Sequence, residues 1–245
     1  MSYINRVRRI MGTSAAISVP AGWEDVIEPA FSRLEWVDRT FSVYRPDSQI
    51  SRIGAGDLTL ADAHPLVQRV LDECERLEEA TNGWFLPRAP ERRRPLDPSA
   101  YVKGWAVDLV IDDLIAAGVG SGFVSAGGDV AVIGERPDGS PWRAGIRSPD
   151  ASELAAIVGI VDGAIASSGA YERGDHIWGR NRSDYFGVSV VGPSLGTADA
   201  LATALYADGG ADLSWFADFG LYGTVVVHDD ARIRLSPGME RRLVA

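Results

Sequence analysis

An α+β fold, with mixed or antiparallel sheets and helices packed against them, is what this sequence predicts. Three observations lead there. Apolar residues make up 46% of the 245, with seven each of Trp, Tyr and Phe, which is enough for a sizeable core and too many for a disordered chain. Helix-like and strand-like apolar patterns intermix without the strict βαβα rhythm of a doubly wound sheet. No internal repeat, low-complexity tract or clean linker interrupts them, so residues 1–245 read as one domain.

The elements follow in order. Ala15 to Val19 form a first strand, closed by Pro20. Trp23, Val26, Ile27, Ala30, Phe31, Leu34 and Val37 then recur at helical spacing, with Phe41 one turn on. Pro29 inside this pattern marks either a kink or the first turn. Ser42 to Tyr44 reads as short and extended, and Pro46-Asp47 as a turn. Residues 64–80 form a second helix with the stripe Leu66, Val67, Val70, Leu71, Cys74 and Leu77, and Gly83 as its stop signal. Residues 88–98, with Arg92-Arg93-Arg94, read as a loop that is either simply solvated or steers anions.

A third helix follows residues 96–104. Its stripe is Val107, Val110, Ile111, Leu114 and Ile115, and Gly118 ends it. Lys103 lies near its start, where the helix dipole disfavours a cation, and Asp108 within it fits a surface charge or a salt bridge. Phe123–Ala126 and Val130–Ile133 read as strands around the turn Gly127-Gly128-Asp129. Strands are also expected at Ala144–Arg147, Ala155–Val161 and Gly187–Val191. A short helix at Asp212–Phe219 and a hairpin of Tyr222–Val227 with Ala231–Leu235 complete the chain.

Composition excludes several functions. The net charge is −10 and the sequence pI about 4.8, which disfavours non-specific nucleic-acid binding. The single cysteine, Cys74, rules out an internal disulfide and a cysteine-based metal centre. No run approaches the ~18–20 apolar residues of a membrane span, and residues 1–12 lack a signal-peptide core. A cytoplasmic protein is expected.

The most informative stretch is Thr197–Leu205, TADALATAL. It reads as a helix with Thr197 as N-cap, which places Asp199 and Thr203 four residues apart on one face. A carboxylate and a hydroxyl offer hard oxygen only, which suits Mg²⁺ or Ca²⁺. The helix start beside them favours anions, so metal and helix together could hold a phosphate. The same residues also fit a capped amphipathic helix with a surface Asp. Among three histidines, His176 lies among small polar and charged residues and is the general-base candidate, though a structural histidine fits the local pattern equally. Tyr44 fits either a half-buried aromatic or a stacking surface.

Taken together, MGT at 11–13, FSVYRPDSQISRI at 41–53, LDPSAYVKGWAVD at 96–108, VSAGGDV at 124–130, ASSGAYER at 166–173, HI at 176–177 and SVVGPSLGTADALATAL at 189–205 resemble the FAD:protein FMN transferases, the ApbE-type flavin transferases. The resemblance runs from about Met11 to Leu205 and implies an ApbE-like, T-fold-like architecture. It implies a Mg²⁺-dependent enzyme that splits FAD and attaches the FMN half to a Thr or Ser hydroxyl of a target protein, releasing AMP. Asp199, Thr203 and the Ala100 carbonyl would hold Mg²⁺. Met11, Tyr44, Asp97, Lys103 and Ile177 would touch FAD, and His176 would be the essential base. Some features depart from the family pattern. His176-Ile177-Trp178 lacks the Asp-Pro pair that usually follows, the segment before Asp97 is short, and Ala202 replaces an additional metal-ligating carboxylate of some relatives. The alternatives are an FAD pyrophosphatase and a non-catalytic FAD-binding protein.

Overall fold

The computed structural model describes residues 2–88, 96–169, 184–210 and 213–244. It is α+β, as the sequence predicts. Eight antiparallel strands form one sheet in the order β1-β2-β3-β4-β7-β8-β9-β10: β1 (Tyr3–Ile10), β2 (Thr13–Pro20), β3 (Gly122–Ala126), β4 (Asp129–Ile133), β7 (Gly163–Gly169), β8 (Tyr185–Gly192), β9 (Gly223–His228) and β10 (Ile233–Leu235). A separate ribbon pairs β5 (Trp142–Arg147) with β6 (Leu154–Ile160).

Strand periodicity sorts the sheet into two faces. Ile17 and Val19 of β2, Val124 and Ala126 of β3, Ala131 and Ile133 of β4, Ala164 and Ala166 of β7, and Val188 and Val190 of β8 point to the main core. The alternate residues Val132, Ile165, Val191, Val225 and Val227 join Ile146, Val158 and Ile160 of the ribbon in a second core. The sheet is thus covered on both faces.

The helices lie over the main core: α1 (Ile27–Phe41), α2 (Gln49–Ala55), α3 (Pro65–Ala80), α4 (Ser99–Ala117) and α5 (Leu195–Asp208). Pro29 sits in the first turn of α1, where its missing N–H is harmless, so it does not kink the helix. Phe31, Leu34 and Val37 are buried in the sheet-facing stripe, each worth roughly 1.5–3 kcal/mol of hydrophobic stabilisation. His64 caps α3 by accepting the Leu66 N–H at 3.1 Å, with Pro65 at the first helical position.

Several expectations need correction. Residues 42–44 form a turn rather than an extended segment, and α2 follows because Ser48 caps it, its Oγ accepting the Ser51 N–H at 3.0 Å. The basic stretch Tyr3–Ile10, where no strand is expected from the sequence, is an edge strand. The N-cap of α5 is Ser194, whose Oγ accepts the Thr197 N–H at 3.3 Å; Thr197 is already the third residue of the helix. The segment expected to be a short helix near 212–219 is a 3-10 turn at Ser214–Asp218. Among the described residues, no helix is long and apolar enough to cross a membrane.

Candidate active site

The site grows from the contact between α4 and α5. Gly104 faces Leu195: a Cβ there would come within 2.4 Å of the Leu195 carbonyl oxygen. Gly196 faces Tyr101 and Trp105, which a Cβ there would meet at 3.0 Å. Two small residues therefore let the helix backbones touch. Asp108, three residues and one turn beyond Trp105, then reaches the start of α5. Its carboxylate accepts the N–H groups of Leu195 (2.8 Å) and Gly196 (2.9 Å) and the Ser194 hydroxyl (2.9 Å). Burial pushes the Asp108 carboxyl above its ordinary range, with the three hydrogen bonds opposing. This corrects two expectations. Asp108 is not a surface charge, it has no salt-bridge partner among the described residues, and the first amides of α5 are engaged by a carboxylate of the protein.

One turn into α5, Asp199 is 4% exposed, so it is not a surface Asp. The helix around it is buried on nearly every side, which is how an apolar, Ala-rich helix sits in a core. From α4, Lys103 shares a stripe with Val107, Val110 and Leu114, so its stem runs into the core toward Asp199. Its Nζ lies 3.1 Å from Asp199 Oδ2 and also contacts Asp129 Oδ2. Asp129 is 2% exposed. It opens β4, on the same face as Ala131 and Ile133, and its Oδ1 accepts the Ser167 N–H of β7 at 2.9 Å. Two carboxylates thus meet one ammonium in a buried setting. Thr203, one turn beyond Asp199, lies 3.3 Å from the hydroxyl of Ser168, the last core-facing position of β7.

Asp129 and Ser168, with the Lys103, Asp199 and Thr203 side chains that meet them, lie toward the rim of the sheet where β2, β4 and β8 begin and β3 and β7 end. The turn of the β1–β2 hairpin lies at the same rim. There Met11 and Gly12 both adopt positive φ, 55° and 71°, as a two-residue hairpin turn between antiparallel strands favours. Gly127 packs against Thr13 beside it, and its N–H donates to Ser14 O at 3.1 Å. Tyr44 stands in the turn after α1 and is 74% exposed. Asp97 precedes α4; its N–H donates to Pro87 O at 2.7 Å and its Oδ1 accepts the Ser99 N–H at 3.1 Å. Ala100 lies half-buried in the first turn of α4, one turn before Lys103. His176 and Ile177 lie outside the described residues, which stop at Gly169 and resume at Asp184.

The structure therefore joins Lys103 directly to Asp199, with Thr203 on the next turn. It adds Asp129, Ser168 and Asp108, which the sequence reading did not select. Asp129 was detectable as an acidic residue on the Ala131/Ile133 face of its strand, and Lys103 as a charge on an otherwise apolar stripe.

The ApbE family profile matches residues 11–91 and 88–222, most of the sequence. The chain belongs to the ApbE family. Among its curated ApbE-type relatives, the FAD:protein FMN transferase of Rhodobacter capsulatus is 32% identical over 194 residues, covering 74% of this chain and 37% of that protein. The FAD:protein FMN transferase of Vibrio cholerae is 37% identical over 125 residues, covering 45% of this chain and 37% of that protein. The chain thus spans well under half the length of these relatives. The fold agrees with solved ApbE structures. The ApbE protein of Thermotoga maritima superposes with a TM-score of 0.86 over 100% of both chains at 21% identity. The flavin transferase ApbE of Vibrio cholerae superposes with 0.83 over 99% of both at 23% identity.

Proposed function

We propose that this chain moves the FMN half of FAD onto a Thr or Ser hydroxyl of a target protein, with AMP as the leaving group. The observation that supports this most strongly is the buried Lys103–Asp129–Asp199 cluster beside the Thr203 hydroxyl, in a family whose curated relatives bear the name FAD:protein FMN transferase.

Splitting a diphosphate needs charge neutralisation and in-line positioning more than covalent chemistry. Lys103 supplies one fixed positive charge for that purpose. The Asp199 carboxylate, the Thr203 hydroxyl and the Ala100 carbonyl form an all-oxygen set, the chemistry that Mg²⁺ takes. Among the described residues, no three His, Cys, Asp or Glu side chains converge as a metal-binding group. Mg²⁺ is commonly held by one or two carboxylates together with substrate phosphates and water. When bound, Mg²⁺ supplies charge neutralisation at the phosphoryl oxygens.

The target hydroxyl oxygen bonds to the FMN phosphorus, and the bond from that phosphorus to the bridging oxygen breaks. The electron pair leaves with AMP, and the hydroxyl proton passes to the imidazole of His176. Met11, Tyr44, Asp97 and Ile177 hold FAD, with the exposed Tyr44 contributing an aromatic face of the kind that packs on planar ligands.

Chromatography of AMP and FMN after incubation with FAD, in Mg²⁺ or in EDTA, tests the reading. Metal-dependent AMP supports it. AMP with free FMN, even when a Thr-bearing acceptor is present, would favour the pyrophosphatase. Bound, intact FAD would favour a non-catalytic flavin-binding protein.

A further inference from the structure

We propose that the open edge of β1 is where the target protein docks, as an extended acidic segment that adds a strand to the sheet. The inference rests on the reading above, in which the chain acts on another protein.

β1 ends the sheet order, so one side of it carries no strand among the described residues. The register says which groups face that side. Tyr3 lies opposite Pro20, which has no N–H, and the adjoining Ala21 N–H donates to Ser2 O at 3.0 Å. Pairs alternate along an antiparallel ladder, so Tyr3, Asn5, Val7 and Arg9 turn their N–H and C=O groups away from β2. Such a row is a template for one more strand.

Charge selects the occupant. The chain has a net charge of −10, yet Tyr3–Ile10 holds Arg6, Arg8 and Arg9 and no acid. Arg8 is taken by Glu28 and Glu35 of α1. Arg6 and Arg9 are exposed and have no ion-pair partner among the described residues. Arg6 donates to Asn5 O, one of the outward carbonyls, at 3.0 Å, which holds its charge at the open edge. Val7 between them is 65% exposed and offers an apolar contact. A second copy pairing here would bring like charges together, whereas an acidic strand meets opposite ones.

Position ties this edge to the site. β1 ends at the Met11-Gly12 turn, and Thr13 just beyond packs against Gly127, which shortly precedes Asp129. In the sheet order, a strand docked on β1 lies about four strand spacings from β4, roughly 19 Å, which about six extended residues cross. The acceptor hydroxyl therefore lies at least about six residues outside the acidic segment.

Fluorescence anisotropy of a labelled short peptide of Glu and Val, added to the whole chain without FAD, tests the docking, and hydrogen–deuterium exchange locates it. Binding is expected, with the amides of Asn5, Val7 and Arg9 protected. Val7→Pro removes an outward N–H and leaves the ladder to β2 whole, and should weaken binding about tenfold or more. Arg6→Gln combined with Arg9→Gln should do the same, and decides the matter if Val7→Pro does not fold. No binding, equal binding by both variants, or protection elsewhere would overturn the proposal. So would an oligonucleotide that binds as well as the peptide, which marks a surface open to any polyanion. A double variant that self-associates and keeps its peptide affinity would also overturn it, since the arginines would then only guard the edge. FMN transfer to an acceptor protein separates the two levels. Transfer with an unchanged KM for the acceptor in Val7→Pro sinks this inference alone. Peptide binding without transfer by wild type sinks the reading of function, while the acidic-strand site stands.

Discussion

The carboxylate of Asp108 accepts the backbone N–H of Gly196 at 2.9 Å, tying the middle of α4 to the first turn of α5. Lys103 lies on one of these helices, and Asp199 and Thr203 on the other. The site therefore depends on how the two helices sit together, and Asp108 is a main point of attachment.

Replacing Asp108 by Ala should destabilise the protein by about 2–4 kcal/mol, because two amides and a hydroxyl lose their acceptor in a largely dry setting. Urea denaturation would measure it, and a loss under about 0.5 kcal/mol would show that water replaces the carboxylate without cost.

The pH dependence has a definite sign. A carboxyl whose folded pKa is raised stabilises the fold below its unfolded pKa, and that contribution is lost as pH rises through the folded value. The stability advantage of the wild type over Asp108→Asn should therefore shrink as pH rises from about 4 upward. Denaturant midpoints of both proteins across that range check it; an advantage that grows with pH would mean that the hydrogen bonds outweigh burial.

Gly104→Ala should be disruptive well beyond its size. The added Cβ would meet the Leu195 carbonyl, a backbone atom that can yield only if α5 shifts. A loss of about 1–3 kcal/mol or more is expected, with reduced turnover because Asp199 moves relative to Lys103. A thermal-unfolding midpoint equal to wild type would show that the helices have slack at this crossing.

Tyr44→Ala should leave stability within about 0.5 kcal/mol, since most of the ring lies outside the core. FAD affinity should fall all the same. Equal affinity would make Tyr44 a surface aromatic with no part in binding.

Much of the fold was legible because the periodic signals were strong. The α1 and α3 stripes, the β3–β4 hairpin and the α+β class all follow from local pattern. β1 was missed because Arg6, Arg8 and Arg9 mask the alternation on an exposed edge strand. Ser194 and Thr197 are both good caps, and the choice between them was settled by the tertiary contact from Asp108. The pairing of Asp199 with Thr203 needed only helical spacing. Their neighbours Asp129 and Ser168 come from two strands that meet α5 only through the sheet order, which no local pattern specifies.

The mass of an acceptor protein after incubation with FAD and Mg²⁺, using wild type and Asp199→Asn in parallel, tests the central claim most directly. The expected result is a gain of one FMN by wild type, abolished by EDTA and by Asp199→Asn. An acceptor left unmodified while FAD is turned over, or modified equally well by Asp199→Asn, would contradict the account.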